Sequence, residues 1–202
     1  MPDSKKSVIV HELKEIGKFI LGFLPWILFL LLPTDGWEPL RRAVLVCLVV
    51  ATVTSLKDLR KGFILTWGTW LFFLFCVVSF YGFNWYWLAT HMAVIANAFL
   101  AGIVWFTIII GKPFTLQYAR AELPKERWND QGLIRTCRSI AIFWGILLLV
   151  PTFLNAFRLY YPSLLPDYFY FDMSLLCIAV GTAYTTYFKH KKRKEREAAI
   201  NN

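Results

Sequence analysis

From Gly62 to Gly111 the chain runs for 50 residues without an Asp, Glu, Lys or Arg. At a rise of about 1.5 Å per residue, one straight helix of that length would be about 75 Å long, against a bilayer core of about 30 Å. The run must therefore fold back on itself. Tyr81-Gly82-Phe83-Asn84-Trp85 is the expected turn, since its aromatic rim favours headgroup level. This predicts two spanning helices, about 63–81 and about 87–110.

The rest of the chain agrees with that environment. Of 202 residues, 57% are hydrophobic and only 17% charged, with mean hydropathy +0.50. A soluble domain carries about 25% charge, so there is too little polar surface here to cover a water-facing body. The fold class is all-α: a polytopic transmembrane helix bundle. That reading excludes a soluble enzyme, a secreted disulfide scaffold and a disordered tail protein.

Four further apolar stretches complete six expected spans. The first, about 16–33, is charge-free from Phe19 to Thr34, with Lys18 snorkelling. It ends in Pro33-Thr34-Asp35-Gly36-Trp37 without a small-residue cleavage site, so it reads as an uncleaved span rather than a signal peptide. The second, about 39–56, is charge-free only from Ala43 to Leu56, which is short. Arg41 and Arg42 must then sit at an interface, and this is the stretch best suited to a re-entrant segment. The fifth covers about 138–157 and the sixth about 171–188. Residues 1–15 form an N-terminal segment, residues 16–188 the membrane domain and residues 189–202 a basic tail.

The net charge of +9 lies between the apolar runs rather than on one face, so nucleic acid is not needed as a partner. Of the 22 lysines and arginines, only Arg41, Arg42 and Arg158 fall on one side of the predicted topology. By the positive-inside rule both termini are cytoplasmic, and six spans fit that parity. Cys47, Cys76, Cys137 and Cys177 form no C-x-x-C pair and read as small packing residues.

Three sets of residues carry chemistry. In the fourth span Ala89, Ala93, Asn97 and Ala101 recur every four residues and share a face. Asn97 falls near mid-span, where an unpaired amide is costly. It is either interhelical glue, worth roughly 0.5–2 kcal/mol, or a group lining a solute path. His91, the one histidine within a span, lies toward the outer end. A proton relay to Asp172 competes there with simple hydration of both groups. No second histidine shares its depth, so a haem held by two histidines is not expected.

The loop Gly111-Lys112-Pro113-Phe114-Thr115-Leu116-Gln117-Tyr118-Ala119-Arg120 predicts a helix starting at the membrane surface, lying over about 113–127. Its free N–H groups, with Lys112 and Arg120, would favour a lipid phosphate, and Phe114, Tyr118 and Trp128 would anchor it at the interface. The competing reading is a solvated connecting loop. The tail run containing Lys191, Lys192 and Arg193 is suited to anionic lipid, although a stop-transfer signal accounts for it equally. No phosphate-loop, zinc-protease, serine-hydrolase or dinucleotide motif is present, so neither an enzyme nor a cofactor is expected. Lys61-Gly62-Phe63-Ile64-Leu65 and Lys112-Pro113-Phe114-Thr115-Leu116 form a faint parallel repeat, suggestive of a duplicated hairpin in a small channel or transporter.

Phe23-Leu24-Pro25, the run from Lys112 to Gln117, and Trp144 with Asn155 resemble the intracellular septation protein A family of bacterial inner-membrane proteins. The resemblance implies a cell-envelope role in division or envelope maintenance, without catalytic residues. The expected function is thus a non-enzymatic multi-pass protein of the inner membrane, acting through anionic lipids, envelope proteins or a second copy of itself. A small-solute, ion or proton transporter working as an oligomer is the alternative.

Overall fold

A computed structural model describes residues 22–200, giving the backbone alone for residues 122, 189–190 and 192–200. The expected segment 1–15, residues 16–21 of the first expected span, and the side chains of Lys192 and Arg193 lie outside the described residues. The protein is all-α. Its helices fall into two compact units that divide between Met92 and Ala93.

In the first unit α1 (Gly22–Leu31) is followed by α2 (Trp37–Arg60) and α3 (Ile64–Val77), which continues through a π-helical turn at Val78–Gly82. A five-residue helix, α4 (Tyr86–Thr90), closes the unit. The short second stretch of the sequence becomes a full helix: 24 residues correspond to about 36 Å, enough to cross a bilayer. It extends past its charge-free part to include Arg41, whose Nε is buried without a hydrogen-bond partner among the described residues but whose other groups are met. Nη1 of Arg41 donates to Glu38 at 2.9 Å, and its guanidinium lies 4.2 Å from the Tyr81 ring centre and 5.6 Å from that of Trp37.

Small buried residues at Ala43, Cys47, Ala51 and Ser55, four apart, let α2 pack closely along α3. Indole N–H groups need acceptors in an apolar interior, and threonines supply them. Trp26 donates to Thr69 Oγ1 at 2.9 Å and Trp70 to Thr52 Oγ1 at 3.0 Å. Each threonine in turn donates to the carbonyl four residues earlier on its own helix. The expected turn is present, with Asn84 at φ 47, a conformation asparagine tolerates.

The second unit holds α5 (Met92–Ile109) from its second residue on, α6 (Phe114–Glu122), a 3₁₀ turn at Lys125–Arg127, α7 (Gln131–Tyr160) and α8 (Asp167–Ile200). Helices α7 and α8 pack as an antiparallel pair. Phe143 stacks on Tyr184 at 3.9 Å, and Trp144 Nε1 donates to Thr185 Oγ1 at 2.9 Å. Glycines make the close approaches: a Cβ on Gly145 would lie 3.0 Å from the Trp105 ring, and one on Gly181 would lie 2.7 Å from the Trp144 ring.

The continuous fourth span expected over 87–110 is interrupted at His91. The Trp87 carbonyl takes the Thr90 hydroxyl at 2.9 Å and faces His91 Nδ1 at 2.9 Å, leaving the helical N–H of His91 at 3.3 Å. Side chains compete with the backbone for one carbonyl, and the helix breaks there. Ala89 and Ala93 thus stand on different helices, and the row of four is not one continuous face.

Among the described residues, four helices are long and apolar enough to cross a membrane: Trp37–Arg60, Ile64–Gly82, Met92–Ile109 and Gln131–Tyr160. The sixth expected span is the first part of the 34-residue α8, which is not among these four.

The two halves of the faint repeat end their preceding helices alike. Gly62 (φ 73) and Gly111 (φ 71) are left-handed, and six-to-one bonds run from Phe63 N–H to the Asp58 carbonyl and from Lys112 N–H to the Thr107 carbonyl. Nothing lies within 4 Å of a Cβ at Gly111 or Gly102, so backbone conformation alone separates them. Gly111→Ala should cost about 1 kcal/mol, whereas helical Gly102→Ala should be neutral or stabilising by up to about 1 kcal/mol. Unfolding midpoints of the two variants in the same detergent check the opposite signs.

Candidate functional site

The most organised polar region is the segment joining α5 to α7. It starts at Thr107, whose hydroxyl donates to the Val104 carbonyl at 2.7 Å and accepts the Phe114 N–H at 3.2 Å. Pro113 is the N-cap of α6 rather than its first helical residue. The first turn then sinks inward: Phe114 is 0% exposed, Thr115 and Leu116 are buried, and Thr115 Oγ1 donates to the Cys137 carbonyl of α7 at 2.6 Å. The reading of Phe114 as an interfacial anchor is therefore corrected. The start of α6 does not offer open N–H groups to a phosphate, because its leading N–H is bonded to Thr107 and the turn is covered by protein.

Beyond α6 the chain is held by Arg120. Its Nε and Nη2 both donate to the Trp128 carbonyl, at 3.2 and 2.9 Å, a two-pronged grip that a guanidinium provides and an ammonium cannot. Trp128 Nε1 donates to the Leu123 carbonyl at 3.1 Å, and the Asp130 carboxylate caps α7 by accepting the Gly132 N–H at 2.8 Å. Gln117 Nε2 donates to the Lys112 carbonyl at 3.0 Å. The expected loop is thus a folded element.

Arg120 is tied into this scaffold, while Lys112 is exposed. Lys125, Arg127, Arg135 and Arg138, not singled out in the sequence as contacts, are exposed at the same end of the unit, as is Lys191. Thr115 bonded to Cys137 ties the first turn of α6 to the residue before Arg138, and the antiparallel pairing of Trp144 with Thr185 sets Lys191 level with Arg138. The opposite end of the α7–α8 pair carries Arg158 bonded to Asp167, and an exposed Asp172. The signal available in the sequence was the density of basic residues between 112 and 138; which of them point outward needed the fold.

The intramembrane candidates are placed separately. Asn97 is half-buried, and its Nδ2 donates to the Ala93 carbonyl of its own helix at 2.8 Å. Ala93 is exposed, and Ala101 is buried. His91 stacks on Trp87 at 4.4 Å in the first unit, while Asp172 belongs to the second. Trp144 and Asn155 are both buried on α7 with separate partners, the latter donating to the Pro151 carbonyl at 2.8 Å. All four cysteines are buried and free, and among the described residues no group of three or more His, Cys, Asp or Glu could hold a metal ion.

Tyr170 is 3% exposed beneath the Arg158 guanidinium, 5.1 Å from its ring centre, and its hydroxyl has no hydrogen-bond partner among the described residues. A buried hydroxyl without a partner stabilises nothing, so Tyr170→Phe should leave the melting midpoint unchanged or raise it. A fall of several degrees would show that the hydroxyl is satisfied in the membrane.

Fold and site define a helical membrane protein with a folded, cation-bearing element between two of its spanning helices. No protein-family profile, curated protein or solved structure matches this chain.

Proposed function

We propose that this chain is a non-enzymatic multi-pass protein of a bacterial inner membrane, with both termini cytoplasmic, that works by presenting a folded surface to lipid or protein partners. Its place in septation or envelope maintenance follows from the resemblance to the intracellular septation protein A family. The observation that carries the reading is the α6–Trp128 element. A plain connection between two spans requires neither a first turn buried against α7 nor a carbonyl held by two guanidinium N–H groups. Pre-ordering of this kind lowers the entropy lost on binding, which suits a surface that a partner recognises. The excess of cations at that end supports a cytoplasmic orientation.

Deletion of the gene in its native cells tests the role. Altered cell length or envelope integrity, restored by the wild type and not by Arg120→Gln, is expected. Normal division and an intact envelope in the deletion strain would overturn it. Orientation is checked with a thiol reagent that does not cross membranes: a cysteine at position 125 should react only after the cells are opened.

Asn97 supports a second reading, a small-solute transporter working as an oligomer, because its amide is half-buried and turned back on its own helix rather than bonded across to another. On that reading Asn97→Ala changes protein-dependent flux in proteoliposomes, under pH jump or ion dilution, without lowering the melting midpoint. Flux absent for protons, common ions and small anions in the wild type removes it.

A further inference from the structure

We infer that the cationic end of the second unit is a preformed docking face for anionic phospholipid headgroups, shaped by Arg120 and presented by Lys112, Lys125, Arg127, Arg135 and Arg138. The inference deepens the partner reading above by naming the class of partner, and it stands or falls by a separate measurement.

Depth is the first argument. Lys112 comes three residues after the end of α5, and Arg138 directly precedes the charge-free stretch that begins at Ser139. Both α5 and α7 are apolar enough to cross a membrane, so these two cations mark the levels at which the hydrocarbon ends. Lys125 and Arg127 lie in the 3₁₀ turn of the intervening segment, and Arg135 is one turn before Arg138 on α7.

Charge is the second. All five presented side chains are exposed, and the exposed acids among the described residues of the α6–α7 connection are Glu126 and Asp130, the latter engaged as the α7 cap. The face therefore keeps a positive excess next to the bilayer that surrounds it. A nucleic acid or an acidic protein would need these cations on a surface reaching into water, whereas they are set around the roots of two spans.

Shape is the third. Arg120 does not need to touch lipid. By gripping the Trp128 carbonyl it fixes the path from α6 to the 3₁₀ turn, and so the spacing of Lys125 and Arg127 from Lys112 and Arg138. It acts as a positioning residue.

The test is native mass spectrometry of the purified full-length protein from mixed micelles of phosphatidylglycerol and phosphatidylcholine. The wild type is expected to retain phosphatidylglycerol in preference, and retention should fall about fivefold for each exposed cation removed, read on Lys112→Gln and Arg138→Gln singly and together. These exposed substitutions leave the packing untouched. Arg120→Lys keeps the charge and loses the two-pronged grip, and it should lower retention several-fold at unchanged helicity. Excess inorganic phosphate should not displace the lipid.

Equal retention of the two lipids by the wild type, or unchanged retention in the double variant, would overturn the docking face. Wild-type retention by Arg120→Lys would overturn its shaping by Arg120, and displacement by inorganic phosphate would overturn the lipid assignment. A deletion strain without a division phenotype would leave the lipid result standing, so the failure of either reading is recognisable.

Discussion

Phe114→Ala should destabilise the protein by about 3 kcal/mol, the cost of emptying a fully enclosed aromatic site. The ring is 0% exposed, and the residues that follow it, Thr115 and Leu116, are buried with it. Its N–H is held by Thr107 and the next side chain by the Cys137 carbonyl, so the backbone cannot move in to fill the space. An aromatic anchor lying on the membrane surface would lose far less on truncation, because lipid closes over the gap. Equilibrium unfolding in mixed micelles, with limited proteolysis across residues 113–128, distinguishes the two. The buried site requires both a large shift in midpoint and faster cleavage in that segment. A shift below about 1 kcal/mol would return α6 to the membrane surface.

The second large effect is expected at Gly181. A Cβ there would lie 2.7, 2.8 and 2.9 Å from Cζ2, Cη2 and Cε2 of Trp144, well inside contact distance. The indole cannot step aside, since it is 2% exposed and its Nε1 is bonded to Thr185. Gly181→Ala should therefore force α7 and α8 apart at a cost of about 2–3 kcal/mol. Trp144→Phe removes the outer ring that the new methyl meets. Added to Gly181→Ala it should recover part of the loss, giving a favourable coupling of about 1–2 kcal/mol in a double-mutant cycle. Thr185 tolerates the smaller ring because its hydroxyl still donates to the residue 181 carbonyl. Additive losses in the cycle would mean that the glycine is needed for something other than the indole.

Both predictions fall where residue order carries little signal. Gly181 reads as one small residue among many in an apolar stretch, and Phe114 as one aromatic beside a lysine. Their roles come from pairings across 37 residues for Trp144 with Gly181 and 22 for Thr115 with Cys137. The interruption at His91 is local, yet it too escaped the pattern. Hydropathy is blind to the Thr90 hydroxyl, the His91 ring nitrogen and the His91 N–H that meet at the Trp87 carbonyl.

The sequence by itself determined that this is an all-α membrane protein. A run of 50 uncharged residues cannot be placed in water, and inside a bilayer each backbone N–H and C=O must be satisfied within its own segment, which a helix does. It also placed the turn at Tyr81–Trp85 and a fresh helix after Pro113, since charge and proline act locally. The tertiary structure alone decided that the second stretch runs the full length of α2. Within it the Arg41 guanidinium meets Glu38 and Trp37 on the same helix and Tyr81 from the π-helical turn that continues α3. It likewise decided that Phe114 faces inward and that two N–H groups of Arg120 are engaged by the Trp128 carbonyl. Direction is the reason: composition and periodicity say how apolar a segment is, while the partner a side chain meets depends on helices that are distant in the chain.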